Sequence, residues 1–239
     1  MIPKIIHYCW FGRKPKPDSV LKYIQTWIDK MPDYEIMEWN EDNFDVNGLK
    51  FTKEAYALRK YAFVSDVARI YALYTKGGIY FDTDVEVIKS LSPLLYHKSL
   101  IGWEDILPGT AVMASVQGTE WLKDMLNYYA DIHFISFYGK LRTTPNPYVL
   151  ADILKNYGLK LNHEKDVLKD DIAVLPIEYL CAHDMSKREY IVTNNTYCIH
   201  HFDASWCSKS KIGKFRFFLN NLKNIPVRIG IKNRDIYNG

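Results

Sequence analysis

Two carboxylates, Asp82 and Asp84, stand one residue apart after the glycine pair Gly77-Gly78 and the apolar run 79–81. Glycines followed by apolar residues are typical of a short buried strand. Side chains two residues apart on an extended chain point to the same side, so the two acids can converge. Close carboxylates repel each other unless a cation lies between them. The stretch predicts a divalent metal whose shell is completed by a phosphorylated substrate, with solvated acids in a turn as the alternative.

A second polar pair, Asp66 and Arg69, lies in a helical pattern that runs from about Thr52 to Lys76. Ser65 is predicted to cap the second part of this helical region. Residues three apart on a helix share a face, so Asp66 and Arg69 form either a weak surface ion pair or a pair directed at a polar ligand.

A third group comes near the end of the chain, where His200 and His201 are followed by Ser205 and Trp206. A neutral histidine can donate an electron pair to a metal ion, whereas a protonated one cannot. His200 is therefore a candidate metal ligand, with a core histidine as the alternative. On a strand, His201 is expected to point to the opposite face.

An α/β order of elements is predicted to position these residues. A strand at 4–11, a helix from Asp18 or Ser19 to Ile28 and a strand at 34–39 open the chain in the manner of a nucleotide-binding unit. Further strands are predicted at 99–103, 111–115, 172–176 and 197–202, and further helices at 119–126 and 148–156. Residues 187–196 are predicted to form a loop.

Composition places the chain among ordinary globular proteins, with 48% hydrophobic and 25% charged residues. No run of eighteen apolar residues occurs and the first residues lack a signal-peptide pattern, so we expect a cytoplasmic protein without a membrane span. The four cysteines form no C-x-x-C pair, which favours reduced and mostly buried thiols.

Positive charge concentrates after Trp206, where eight lysines and arginines accompany a single acid, Asp235. We therefore divide the chain into a domain at 1–206 and a basic amphipathic tail at 207–239. The tail is either a solvated end or a segment that contacts an anionic membrane. Nucleic acid is not an expected partner, because the body is mildly acidic and no stacking motif accompanies the charge.

The order and spacing of these groups resemble the DXD glycosyltransferases of family 32. That family includes bacterial capsule and lipopolysaccharide sugar transferases, the initiating mannosyltransferase of yeast and, more distantly, the clostridial glucosylating toxins. The resemblance extends from Ile2 to Trp206, and residues 2–10 are similar to the first strand of the family. Its most specific part is S-D-x-x-R at 65–69 followed by G-G-x-Y-x-D-x-D at 77–84.

The resemblance implies a GT-A fold, an α/β architecture with a Rossmann-like mixed sheet flanked by helices. It also implies a retaining, metal-dependent transferase that uses Mn²⁺ or Mg²⁺ and a UDP- or GDP-sugar donor. The acceptor would be a glycan or lipid-linked glycan in bacterial surface-polysaccharide assembly, with the enzyme peripheral on the inner face of the cell membrane.

Roles for individual residues follow from the same resemblance. The implied metal ligands are Asp82, Asp84 and His200. The implied catalytic residues, which include the pair that holds the donor sugar, are Asp66, Arg69 and Asp84. The implied nucleotide-sugar-binding residues are Trp10, Tyr80, Asp82, Ser205 and Trp206. The planar, permanently charged fork of Arg69 suits phosphate or sugar oxygens.

Two positions depart from the family pattern. Thr110 stands where members usually carry Asn, and Thr143-Thr144-Pro145 replaces a common Thr-Gly-Pro. Both segments are expected to border the sugar and acceptor sites, so the choice of donor and acceptor does not carry over from close relatives.

Two other functions fit parts of the sequence. A haloacid-dehalogenase-type phosphatase also places D-x-D after an apolar strand and would use Asp82 as its nucleophile, with Asp170-Asp171 as a later acid pair. A module that binds Ca²⁺, carbohydrate or a sugar nucleotide without catalysis would use Asp82, Asp84 and Glu86. An EF-hand is excluded because Val87 occupies the position that requires Gly.

Overall fold

A computed structural model describes residues 1–184, 187 and 189–203 of the 239-residue chain. The predictions at Ser205, Trp206 and 207–239 lie outside these residues. The first half of the chain forms β1 (Ile5–Cys9), α1 (Asp18–Lys30), β2 (Glu35–Trp39), α2 (Lys50–Ala57), α3 (Tyr61–Lys76), β3 (Gly78–Phe81) and β4 (Val85–Val87). The second half forms β5 (Ser99–Glu104), β6 (Leu107–Ser115), α4 (Glu120–Ala130), α5 (Asn146–Lys155), β7 (Asp166–Leu168), β8 (Ile172–Leu175), α6 (Ile177–Leu180), β9 (His183–Asp184), β10 (Glu189–Tyr190) and β11 (Cys198–His200).

Within the described residues, the central sheet has seven strands in the order β2-β1-β3-β6-β5-β8-β7. Strands β1, β2 and β3 run parallel, β6 is antiparallel to β3 and β5, and β8 is parallel to β5. Because parallel neighbours need a crossover, helices cover the sheet, as the alternation of predicted strands and helices indicated. The sheet is therefore mixed and flanked by helices.

Alternation along β3 shows how the sheet holds two cores. Ile79 and Phe81 face one side, where the ring of Phe81 lies 5.2 Å from that of Trp27 on α1. Tyr80 faces the other side and packs in the core that α3 helps to form. Burying a large side chain of this kind contributes about 1.5–3 kcal/mol, so both faces anchor the strand that leads to Asp82.

The glycine pair Gly77-Gly78 forms the bend between α3 and β3. Both residues have positive φ, +66° and +106°, and a Cβ on Gly78 would lie 2.5 Å from the backbone oxygen of Ile5. His7 Nε2–H donates to the Gly77 carbonyl oxygen at 2.7 Å, and its Nδ1 accepts from Trp39 Nε1–H at 3.1 Å. Burial lowers the pKa of His7 to about 4, so its imidazole is neutral at pH 7. The two hydrogen bonds fix its tautomer, with the proton on Nε2, and the ring thereby holds the bend in place.

Two small sheets lie beside the central one. Strand β11 pairs antiparallel with β4, which brings His200 opposite Val85, and β9 pairs antiparallel with β10. No helix in the described part of the chain is long and apolar enough to cross a membrane. Cys9, Cys181 and Cys198 are buried free thiols, as expected.

Three sequence predictions need correction. Ser65 is not a helix cap, because α3 begins four residues earlier at Tyr61, where the fully buried Val64 extends its apolar face by a turn. The last strand spans only Cys198–His200, shorter than the predicted 197–202, and it pairs with β4. Part of the predicted loop at 187–196 is strand β10.

Candidate functional site

The candidate site lies at the carboxyl-terminal edge of β1 and β3. These strands are parallel neighbours, so Trp10, which follows β1, and Asp82, which follows β3, reach the same edge of the sheet. Trp10 is half-buried, and its indole N–H donates to the Lys14 carbonyl oxygen at 2.6 Å. Its implied contact with a nucleotide base stays a prediction.

Residues 82–84 form a turn rather than the extended segment that the sequence predicted. The Val85 N–H donates to the Asp82 carbonyl oxygen at 3.1 Å, and β4 begins directly afterwards. The two carboxylates nevertheless converge, because the turn folds Asp84 back toward the side chain of Asp82. One oxygen from each, together with a ring nitrogen of His200, lies within 4.8 Å of the others.

Arg69 contacts the carboxylates of both Asp82 and Asp66. Its Nη1–H donates to Asp82 Oδ2 at 3.2 Å and to the Thr110 carbonyl oxygen at 2.8 Å, while Nη2 lies 3.3 Å from Asp66 Oδ1. The residue is only 6% exposed, so the pair with Asp66 is not the surface ion pair that helix geometry left open. Burial raises the pKa of Asp66 to about 6, even though Arg69 opposes that shift.

Tyr80 supports Asp82 from within the core. Its hydroxyl donates to Asp82 Oδ1 at 2.8 Å, and its ring lies beneath the Arg69 guanidinium at 4.8 Å. Tyr80 is 1% exposed and contacts Asp82 from the core, and its implied binding of the nucleotide sugar stays a prediction. Burial raises the pKa of Asp82, and Arg69 opposes the shift.

His200 lies between two carboxylates. Its Nε2 is 3.3 Å from Asp84 Oδ1, and its Nδ1 is 3.3 Å from Glu104 Oε2. Although burial alone would lower it, these carboxylates raise the pKa of His200 well above its usual value. For Asp84, burial is outweighed by the His200 charge and by backbone N–H groups, which lower the pKa of that carboxyl group.

The donor set of Asp82, Asp84 and His200 fits a divalent cation. The two carboxylate oxygens suit Mn²⁺ or Mg²⁺, a neutral imidazole nitrogen can add a further ligand, and the two acids repel each other without a cation. Coordination would require His200 to release its proton, since only the neutral ring donates to a metal.

Several supporting residues escaped the sequence predictions. The Asp203 N–H donates to Asp84 Oδ2 at 3.0 Å, and the Tyr23 hydroxyl donates to Asp203 Oδ2 at 2.9 Å. His201 points away from the metal ligands, as expected, and its Nε2 hydrogen-bonds Glu86 at 2.8 Å. These partners are far apart in the sequence, and no local pattern marks them.

Thr110 contacts Arg69 through its carbonyl oxygen, and Asn146, the residue after Thr143-Thr144-Pro145, contacts Asp66. Besides the carbonyl contact, the Thr110 hydroxyl oxygen lies 3.4 Å from Arg69 Nη1. Asn146, directly after Thr143-Thr144-Pro145, donates from its amide to the Asp66 carbonyl oxygen at 3.2 Å. The structure thus places Thr110 beside Arg69, while the expectation that both segments border the sugar and acceptor sites stays a prediction.

The residues that the two other functions require lie elsewhere. Asp171 precedes β8 and pairs with His97, at the opposite edge of the sheet from Asp82. The Glu86 carboxylate is hydrogen-bonded to His201 instead of converging with Asp82 and Asp84. The later acid pair of a phosphatase and the third ligand of a calcium module are thus not assembled among the described residues.

Comparison with known proteins agrees with the sequence motifs. The family model described as "Glycosyltransferase sugar-binding region containing DXD motif" matches residues 17–101. The fission yeast (Schizosaccharomyces pombe) protein "Inositol phosphoceramide mannosyltransferase 3" is 33% identical over 104 residues, which cover 42% of this chain and 29% of that protein. "Inositol phosphoceramide mannosyltransferase 2" from the same organism is 25% identical over 213 residues, 86% of this chain and 58% of that protein. The chain thus spans less than two thirds of either relative.

The fold is similar to that of the solved structure "PaToxG Glycosyltransferase". The TM-score is 0.50 at 17% identity, over 65% of this chain and 68% of the other. The predicted GT-A fold, with its mixed sheet flanked by helices, is confirmed.

Proposed function

We propose that this chain is a metal-dependent, retaining glycosyltransferase of the family 32 type that moves a sugar from a UDP- or GDP-sugar donor. The observation that carries the proposal is the convergence of Asp82, Asp84 and His200 within 4.8 Å, beside the buried Arg69–Asp66 pair. The DXD sugar-binding model matches the region that holds four of these five residues.

Asp82, Asp84 and His200 would hold a divalent cation, Mn²⁺ or Mg²⁺. When bound, such an ion offsets the negative charge that builds up on a diphosphate leaving group. Arg69 fixes the Asp82 carboxylate in place, and the Tyr80 hydroxyl fixes its other oxygen. The Asp66 carboxylate, one oxygen of which lies 3.3 Å from Arg69 Nη2, would hold a hydroxyl of the donor sugar.

A lipid-linked acceptor is the form of the proposal that has most support. The two fission yeast relatives are named as inositol phosphoceramide mannosyltransferases, and inositol phosphoceramide is a lipid. In this chain a turn between Ile135 and Leu141 exposes Phe137 to 97% and Tyr138 to 86%. No acid occurs from residue 132 to 151, so the turn is basic as well as apolar and suits an anionic bilayer. We propose a protein peripheral on the cytoplasmic face of a membrane, with bacterial surface-polysaccharide assembly as the setting that the family resemblance implies.

A thermal-shift panel of UDP- and GDP-sugars with and without Mn²⁺ tests the proposal. At 100 times Kd a ligand stabilises the fold by about 2.7 kcal/mol, which for a chain of this size raises Tm by about 5–10 °C. We expect one nucleotide sugar to produce this shift only with Mn²⁺. Asp84→Asn should abolish it, whereas Asp33→Asn, which removes an exposed ion pair with Lys4, should leave it unchanged.

The panel, an assay of phosphate release and a titration with free sugar together separate the other functions. The proposal is wrong if no nucleotide gives a Mn²⁺-dependent shift. Release of phosphate from simple esters, lost in Asp82→Asn, would indicate a phosphatase. Stabilisation by free sugar without nucleotide or turnover would indicate a binding module.

A further inference from the structure

His200 has a second ring nitrogen, Nδ1, that the proposed metal site with Asp82 and Asp84 does not use. While Nε2 faces Asp84, Nδ1 lies 3.3 Å from Glu104 Oε2. His200 is 7% exposed, and within the described residues its Nδ1 is a buried nitrogen that lacks a hydrogen-bond partner. The Cys181 thiol completes a second cluster, since ligand atoms of Glu104, Cys181 and His200 lie within 4.8 Å of one another. A buried nitrogen that faces a thiol and a carboxylate without a hydrogen bond is a position that a metal ion can fill.

The fold holds the three side chains together through backbone contacts. Cys181 follows helix α6, and its carbonyl oxygen accepts a hydrogen bond from the His200 N–H at 2.9 Å. Glu104 is the last residue of β5, which α6 covers. Gly109 leaves room for the acid, since a Cβ there would lie 2.8 Å from both Cβ and Oε2 of Glu104. The cluster thus joins three separate elements at defined positions.

The chemistry of this cluster differs from that of the two aspartates. A thiolate, an imidazole and a carboxylate form a donor set for Zn²⁺ and related transition-metal ions, whereas Mn²⁺ and Mg²⁺ favour oxygen ligands. Around a tetrahedral ion with such ligands the donor atoms lie roughly 3.3–3.8 Å apart. The three atoms, already within 4.8 Å, would need to close by on the order of 1 Å.

We propose that Glu104, Cys181 and the Nδ1 atom of His200 form a second metal site, selective for Zn²⁺-class ions and open to one external ligand. The ring of His200 is shared between this site and the Asp82–Asp84 site. When Nδ1 binds a metal ion, Nε2 carries the ring proton and donates it toward Asp84. Zn²⁺ would therefore remove His200 from the Asp82–Asp84 metal, a consequence that rests on the proposed function of that site.

Titration of the full chain with Co²⁺ tests the second site without any assay of activity. Only a cysteine ligand gives a thiolate-to-cobalt charge-transfer band in the near ultraviolet. We expect the band in the natural chain and its loss when Zn²⁺ is added. Cys181→Ser should abolish the band, and Glu104→Gln should weaken binding more than the 10–100-fold that loss of an outer-shell partner costs. Cys198→Ser, which removes a buried thiol outside the cluster, should leave the band intact.

The outcomes are distinct. A band that is absent from the natural chain, or that persists in Cys181→Ser, overturns the proposal and leaves His200 as a purely structural link between Asp84 and Glu104. Thermal unfolding of each variant without metal shows whether it is folded. Glu104→Gln keeps the test decisive if Cys181→Ser does not fold.

The expected antagonism, in which Zn²⁺ weakens Mn²⁺ binding by withdrawing His200, is measured separately. The paramagnetic resonance signal of free Mn²⁺ reports how much Mn²⁺ is bound. One equivalent of Zn²⁺ should weaken Mn²⁺ binding at least about tenfold in the natural chain but not in Cys181→Ser. If Mn²⁺ binding is unchanged by Zn²⁺, the two metals do not compete for His200 and the antagonism is refuted. If Mn²⁺ does not bind at all while the cobalt band is present, the proposed function fails and the second site stands.

Discussion

Replacement of Tyr80 by Phe separates the support of Asp82 from the packing of the core. The substitution removes the hydroxyl that donates to Asp82 Oδ1 at 2.8 Å and keeps the ring that lies beneath Arg69. Tyr157→Phe is a matched control, because the Tyr157 hydroxyl also donates to a carboxylate, that of Asp124, at 2.8 Å. Only the first carboxylate is a proposed metal ligand.

Two magnitudes follow for Tyr80→Phe. A buried hydrogen bond to a charged group contributes about 1.5–3 kcal/mol, and because Asp82 keeps its contact with Arg69 we expect the lower end. A loss of about 1.5 kcal/mol lowers Tm by about 3–6 °C in a chain of this size. Removal of a residue that orients a metal ligand typically costs 10–100-fold in metal affinity.

Calorimetric titration with Mn²⁺ and thermal unfolding of the three proteins provide the measurement. We expect Tyr80→Phe to bind Mn²⁺ at least tenfold more weakly, and Tyr157→Phe to bind it as the natural chain does. If Tyr80→Phe is destabilised but its Mn²⁺ affinity stays within twofold of the natural value, Tyr80 serves the fold alone and does not orient Asp82 for the metal ion.

Three further outcomes are expected. The lowered pKa of His7 means that its contribution to stability is complete above pH 6.5 and is lost as the pH falls toward 4. The destabilisation caused by His7→Gln, measured by urea unfolding, should therefore shrink by about 2 kcal/mol between pH 7 and pH 5. A difference that stays constant over this range would contradict the prediction. Gly78→Ala should lower the free energy of unfolding by more than the roughly 1–2 kcal/mol expected for Gly118→Ala. Both glycines have positive φ, but only at Gly78 would a Cβ meet a backbone atom, at 2.5 Å. Equal losses would show that the backbone around Gly78 moves aside without cost. Replacing Phe137 and Tyr138 by Ser should reduce sedimentation of the protein with anionic liposomes. Because both rings are exposed, Tm should stay within about 1 °C of the natural value. Unchanged sedimentation would show that this turn does not contact the membrane.

The sequence was sufficient for those parts of the fold that local patterns determine. The run from Gly77 to Asp84 predicted a buried strand and two converging acids, and both are present. The convergence was predicted for the wrong reason, because a turn at 82–84 brings the acids together rather than an extended chain. A two-residue spacing does not distinguish these conformations when a tight turn follows the strand.

Long-range contacts account for what was missed. The role of Glu104 depends on the pairing of β11 with β4 and on the end of α6, and no spacing in the sequence relates it to His200. Ser65 has the side chain of a helix cap, but the buried face of α3 continues past it and tertiary packing decides where the helix starts. Local propensity could not reveal either outcome.

The pairing of β11 with β4 also has a consequence for the order of events during translation. Asp203 bonds Asp84 across 119 residues, so the two aspartates leave the ribosome long before the strand that brings His200 to them. At 5–20 residues per second this interval lasts on the order of 10 s. A nascent chain that stops before β11 would contain Asp82 and Asp84 without the imidazole of His200. High metal affinity would therefore indicate that β11 has been synthesised and has paired with β4.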